Sequence, residues 1–319
     1  MHRVQVGRTI TAALIAAILL SSTIGSASAA TTADAIAVTT AARGIQPGEL
    51  VVFTIMAPAE ARSVTVDAFG RQTPAIRREG AAWIALVGID LAVRAGAADA
   101  IIKVRTTGGL LTTTHTLTVQ PKQFPTRRLT VNPALVEPPA SALPRIKREV
   151  ARTNEIYRSP MDPVLWHGPF VRPVESPANS RFGTRSVYNG RPGSPHNGAD
   201  FLSPSGTPIK APNSGRVRLA EDLYFSGNTV IIDHGLGLFS LFAHLSAFQV
   251  REGDLVSTGE VLGLVGATGR VTGPHLHWTV RATGARIDPL SLIALLGSET
   301  TAARADGTEP VPATSPAAR

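Results

Sequence analysis

Gly273-Pro274-His275-Leu276-His277-Trp278-Thr279-Val280-Arg281 decides how the C-terminal half of this 319-residue chain is read. Entered through a glycine–proline pair, it reads as a strand, whose successive side chains point to opposite faces. His275 and His277 then share one face while Leu276 points into a core. One solvated histidine on a sheet is commonplace. Two neighbours on one face point to a site, with a merely polar sheet face as the plainer alternative.

The surrounding residues extend the same pattern. Thr229–Asp233 and Leu238–Leu245 read as further strands, and Gly235–Gly237 as a hairpin turn between them. Alternation through Leu238–Leu245 predicts His244 on the face opposite Leu241, Ala243 and Leu245. Upstream, His196-Asn197-Gly198-Ala199-Asp200 reads as a loop entering a strand, because Pro195 and the Asn-Gly pair oppose a helix. An imidazole and a carboxylate four residues apart can converge on one metal, although the spacing alone also fits a turn with a capping aspartate. His234 sits at a strand end before a tight turn, where a structural hydrogen bond is the expected role. His115 shares a face with Leu111, Leu117 and Val119 and is read as a packed or edge histidine.

The chain has no cysteine. That excludes disulfide frameworks, thiolate nucleophiles, Cys-ligated zinc, iron–sulfur clusters and a lipidated cysteine, so any metal must be held by His, Asp or Glu. His196, Asp200 and His277 would offer Zn2+ two nitrogens and one oxygen, with a fourth position left for water, the pattern of catalytic zinc. Such a centre can lower the pKa of a bound water towards ~7 and polarise a carbonyl. His244 and His275, left over as non-ligands, would flank the reacting atoms, which completes a set of groups for amide hydrolysis. There is no His-Glu-x-x-His and no Gly-Lys-Ser/Thr, and the lone Gly235-x-Gly237 lacks the rest of a dinucleotide fingerprint.

At these residues the chain resembles the lysostaphin-type M23 zinc metallopeptidases. The segments that carry the resemblance are His196-x-x-x-Asp200, His244-Leu245-Ser246, Gly266-Ala267-Thr268-Gly269 and Gly273-Pro274-His275-Leu276-His277. It spans about Ser180 to Pro289. The resemblance implies an antiparallel sheet whose loop-walled groove holds zinc on His196, Asp200 and His277. It further implies that His275 helps deprotonate the zinc-bound water and that His244 helps stabilise the tetrahedral intermediate. The implied activity is a zinc endopeptidase acting on peptide cross-links or stem peptides of bacterial peptidoglycan, with a non-catalytic envelope protein that activates another wall hydrolase as the alternative.

N-terminal to this region the pattern is all-β. Leu50–Ile55, Ser63–Phe69, Ala81–Leu86, Ala100–Thr106 and Leu110–Val119 read as short strands of an immunoglobulin-like sandwich, with Gly108-Gly109 as a hairpin signal. Pro125–Pro144 reads as a connector. Arg145–Tyr157 reads as an amphipathic helix, with Ile146, Val150, Thr153 and Tyr157 on one stripe, packed between the domains. The expected organisation is a signal peptide (1–29), a sandwich domain (30–132), a linker with the helix (133–167), an M23 peptidase domain (168–297) and a flexible tail (298–319).

His2, Arg3 and Arg8, the apolar run Ile10–Leu20 and Ala27-Ser28-Ala29 make the export signal; that run is too short to span a bilayer, and no other stretch could cross one. An exported protein, periplasmic or extracellular, is therefore expected. The net charge of +8 is carried by scattered residues with few aromatics among them, which argues against nucleic acid as a partner. The sandwich could gate the groove or meet an envelope regulatory partner.

Overall fold

The computed structural model describes residues 36–78, 81–130, 137–160, 163–178 and 182–297. The expected signal segment and tail, together with Ser180 and Arg181, lie outside these. The first eight strands are β1 (Ala37–Ala42), β2 (Leu50–Met56), β3 (Ser63–Ala68), β4 (Arg71–Pro74), β5 (Ile76–Arg77), β6 (Ala82–Gly88), β7 (Gly96–Arg105) and β8 (Leu110–Val119). They form two antiparallel sheets, β1-β2-β6-β5 and β4-β3-β7-β8. Lettered A to G with C′ after C, these are the A-B-E-D and C′-C-F-G sheets of an immunoglobulin-like sandwich.

Strand alternation places the two cores. On β2, Val51, Phe53 and Ile55 face the sandwich interior, packed with Val64, Val66, Trp83 and Ile102. Leu50 and Val52 point the other way, into a core shared with Phe242, Trp278, Val280 and Leu292. One strand is thus buried on both faces, and each buried aliphatic side chain contributes about 1.5–3 kcal/mol. Polar contacts close the same seam. Arg43 bridges Glu49 (2.9 Å) and Asp288 (2.6 Å), and Arg286 pairs with Asp90 at 2.7 Å. Burial pushes the Asp90 carboxyl up, but hydrogen bonds from Arg286 and Ala92 outweigh it and hold the pKa at about 2.

The second assembly is a nine-stranded sheet. Its members are β12 (Ala199–Phe201), β13 (Pro208–Lys210), β14 (Gly215–Leu223), β15 (Gly227–Gly235), β16 (Leu238–Phe248), β17 (Leu255–Val256), β18 (Val261–Val265), β19 (Leu276–Ala282) and β20 (Ala285–Ile287). The main path is β12-β19-β16-β15-β14-β17, with β20 on β19, β18 on β16 and β13 on β18. Trp278 and Phe242, direct cross-strand partners, stack in its core with rings 4° from parallel. Helix α2 (Pro289–Leu296) follows β20 and is capped by the Asp288 side chain, which accepts from the Leu290 amide at 3.0 Å.

Three local expectations need correction. The connector after Pro125 contains a strand, β9 (Thr126–Leu129), which pairs in parallel with β10 (Arg185–Tyr188), itself paired with β11 (Arg191–Pro195). No local pattern announces a strand whose partner lies some sixty residues away. The amphipathic helix, α1 (Leu143–Arg158), forms where expected, but Val150 on its supposed apolar stripe is 51% exposed. Its buried contacts come from Ile156 and Tyr157 against Leu219, Leu223, Ile231 and Phe239 of the nine-stranded sheet, so the helix packs on that sheet rather than between domains.

The third correction concerns His244. It adopts φ +67°, and the β15–β16 register shifts around it. This bulge turns Leu245 into the core with Phe242, while Leu241 packs beside Phe239 on the other side, so Leu241 and Leu245 do not share a face.

Candidate metal centre

The register of three strands assembles the site. Asp200 on β12 lies directly opposite His277 on β19, and Ala243 on β16 lies opposite His277 from the other side. Cross-strand partners have Cβ atoms about 4.5–5.5 Å apart, so two distant pieces of sequence become neighbours. His196 precedes β12 in a loop whose backbone is tied down: its carbonyl accepts from the Gly183 amide at 2.7 Å, and its amide donates to the Thr184 carbonyl at 2.9 Å. Gly198 is required here by space. A Cβ at this position would meet the Trp278 carbonyl at 2.4 Å and the His277 ring at 2.8 Å.

All five residues singled out by the sequence meet. The His196 Nε2, Asp200 Oδ1 and His277 Nδ1 atoms form a triangle with edges of 3.0, 2.8 and 3.2 Å. His275 Nε2 lies 3.9 Å from the same Asp200 oxygen. The His244 ring centre is 4.9 Å from that of His275 and 6.0 Å from that of His277.

The chemistry of the triangle calls for a cation. The His277 Nε2–H donates to Thr279 Oγ1 at 3.0 Å and Asn197 Oδ1 at 3.2 Å, which leaves the Nδ1 lone pair facing Asp200 and His196. Donating from Nδ1 as well would make His277 an imidazolium. Burial opposes that by lowering its pKa, although the hydrogen bond and charge of Asp200 pull it up. Burial also pushes the Asp200 carboxyl up, yet the two imidazoles of His196 and His277 beside it pull it down further, and it stays well below the usual carboxylate range. An ionised oxygen and two ring nitrogens thus point at one place. Ligands at 2.0–2.1 Å in a tetrahedral shell stand about 3.3 Å apart, close to these edges, so the residues present fit zinc.

The other two imidazoles are oriented by carbonyls, which can only accept. His244 Nδ1–H donates to the Thr268 carbonyl and His275 Nδ1–H to the Gly273 carbonyl, each at 2.9 Å. Both rings therefore keep Nε2 as the free nitrogen. Burial lowers the His244 pKa to about 4 against the opposing pull of the Thr268 bond, so this ring is neutral at pH 7.

Sequence reading passed over Asn197, Thr279 and Thr268. A signal existed for two of them: Asn197 adjoins His196, and Thr279 is two residues beyond His277 on the same strand face. Thr268 was marked only as part of Gly266-Ala267-Thr268-Gly269, and nothing local says that its carbonyl reaches His244.

Residues 194–289 match the family model described as Peptidase family M23. Among curated proteins, DD-carboxypeptidase/endopeptidase Mpg of Neisseria meningitidis serogroup B is 45% identical over 97 residues, and peptidoglycan DD-endopeptidase ShyA of Vibrio cholerae is 42% identical over 96. Each match covers 30% of this chain and only 22% of the relative. A solved peptidase M23 structure from Pseudomonas aeruginosa is 35% identical, with a TM-score of 0.61 over 79% of this chain and 95% of that one. A likeness at 35% identity that runs through 95% of that structure makes this chain a member of the M23 peptidase family.

Proposed function

We propose that this protein is an exported zinc endopeptidase, periplasmic or extracellular, that hydrolyses peptide cross-links or stem peptides of bacterial peptidoglycan. The observation that carries the reading is the donor triangle of His196, Asp200 and His277, with two non-ligand imidazoles beside it. Zinc held there would supply Lewis acidity and a water with a pKa lowered towards ~7.

The protein's own groups do the rest. Asn197 and Thr279 hold His277 in the tautomer that presents Nδ1 to the ion, since an outer partner fixes a ligand's ring and proton. His275 and His244, each with Nδ1–H committed to a carbonyl, offer Nε2 lone pairs as proton acceptors. An imidazole that takes a proton at Nε2 becomes a donor there. The group that removes a proton from the nucleophile can then stabilise negative charge on the scissile carbonyl oxygen or hand the proton to the leaving amine. Charge developing beside buried, preorganised groups is stabilised more strongly than in water.

The relatives named as DD-endopeptidases make a D,D cross-link the first bond to test. Purified protein is mixed with sacculi cross-linked through diaminopimelate and, separately, through glycine bridges, and the fragments are identified by mass spectrometry. The reading predicts zinc-dependent release of monomeric stem peptides with a new D-alanine carboxyl terminus. Unchanged release after chelation would contradict the mechanism. No release from either substrate by zinc-loaded protein would favour the alternative of a non-catalytic envelope activator.

A further inference from the structure

We propose that Glu149, on helix α1 and outside the donor set, is a positioning residue for His244, acting through the turn that joins β14 to β15. The proposal rests on the reading of His244 as a proton-transferring group. One face of that turn is held by the helix. Glu149 Oε2 accepts from the Tyr224 amide at 2.9 Å, and its Oε1 accepts from Arg145 Nε at 2.6 Å. Arg145 also donates to the Asp222 carbonyl and carboxylate at 2.9 and 3.0 Å.

The other face of the turn touches the site. The Ser226 carbonyl accepts from the His244 amide, and the Phe225 carbonyl from the Arg270 amide, both at 2.9 Å. Gly227 lies against the Thr268–Gly269 backbone so closely that a Cβ on it would sit 2.4 Å from the Thr268 carbonyl carbon. The Asn228 amide donates to Thr268 Oγ1 at 2.9 Å, and the Thr268 carbonyl receives His244 Nδ1–H. A single tip of five residues, Tyr224 to Asn228, therefore grips both the main chain of His244 and the carbonyl that orients its ring.

The grip matters because His244 is left-handed at φ +67°, a strained conformation for any residue but glycine. The Ser226 bond helps hold it there. A hairpin tip needs no helix carboxylate to close, yet Glu149 spends one oxygen on its first amide, and the side chain is mostly buried in doing so. Freed of Glu149, the tip can shift and let His244 relax towards ordinary strand geometry, which would swing its Nε2 away from His275. The ligand triangle is built on β12, β19 and the His196 loop, and this turn supplies none of its donor atoms.

The test compares Glu149→Ala, Glu149→Gln and Arg145→Ala with the wild type, all zinc-loaded and checked for folding by thermal melts. Glu149→Ala should lower kcat on peptidoglycan about tenfold, with KM and zinc content unchanged, as expected when a reacting group is slightly misplaced. Glu149→Gln, whose amide oxygen can still accept from Tyr224, should stay within about twofold of wild type, while Arg145→Ala, which loosens the hold on Glu149 and Asp222, should lower kcat about threefold. In nitrogen-15 spectra of the histidine rings, the His244 Nδ1–H signal should move in Glu149→Ala and less in Arg145→Ala, while those of His196 and His277 stay put.

Wild-type kcat with an unmoved His244 signal in Glu149→Ala would overturn the proposal. So would a Glu149→Gln variant as impaired as Glu149→Ala, because the hydrogen bond would then not be what matters. If Glu149→Ala fails to fold, the other two decide: an unmoved His244 signal in Arg145→Ala, or a displaced one in Glu149→Gln, overturns the assignment. An inactive wild type would count against the hydrolase reading alone, since the ring signals report on His244 without turnover.

Discussion

His234, fully buried, and His277, mostly buried, belong to one sheet and differ in where the second ring nitrogen points. Around His234 every valence is closed: Nδ1–H donates to the Ser214 carbonyl at 2.8 Å, Nε2 accepts from Ser240 Oγ–H at 3.0 Å, and the ring meets Phe170 edge-on. Around His277 only Nε2 is closed in this way. Its Nδ1 looks at a carboxylate oxygen 2.8 Å away and a second ring nitrogen at 3.2 Å, an arrangement that wants a positive ion rather than a proton. Burial lowers the pKa of both rings. Burial therefore does not separate a structural histidine from a functional one; the direction of the unpaired lone pair does.

The sharpest way to break this contrast is His277→Ala. It should abolish peptidoglycan hydrolysis, a loss of about a thousandfold or more in initial rate of sacculus digestion, while the fold survives. A variant that still digests sacculi would place His277 with His234.

His234→Ala should do the reverse. It removes a closed pair of hydrogen bonds from a packed interior and should cost about 2–4 kcal/mol by denaturant titration, with metal content kept. The same residue carries a pH signature. Its folded pKa is about 4 against an ordinary 6.5, so the unfolded chain binds the proton more readily. The stability from keeping it neutral is fully present above pH 6.5 and lost as pH falls towards 4, about 3 kcal/mol in all. The difference between wild type and His234→Ala, followed across that window, isolates this share from acid release of metal. A constant difference would contradict it.

A smaller effect sharpens the His277 side of the comparison. Asn197→Ala leaves all three ligands in place but weakens the hold on the His277 tautomer, and should reduce zinc affinity about 10- to 100-fold in a competition titration. Equal affinity would mean that Thr279 alone suffices. Smallest of all, Arg152→Ala removes surface ion pairs to Glu221 and Glu252 and should change stability by no more than about 1 kcal/mol.

Much of the site was legible because strand periodicity is local. Two residues apart on a strand means one face, and that alone paired His275 with His277 and sent Leu276, fully buried, into the core. What escaped depends on partners distant in sequence. The bulge at His244 breaks the period, so alternation put Leu241 and Leu245 on one face when they lie on two. Strand β9 exists because β10 lies beside it. On α1 the apolar spacing was real, but the helix is buried near its C-terminal end, at Ile156, while polar Arg145 and Glu149 make the contacts near its start. Periodicity tells which face is apolar and leaves open which stretch of it meets a neighbour.

The account stands on one ion shared by three side chains. Purified protein dialysed against zinc and then against metal-free buffer should retain about one zinc per chain by elemental analysis, and His277→Ala should retain none. Zinc-free wild type, or equal zinc in the two proteins, would contradict it.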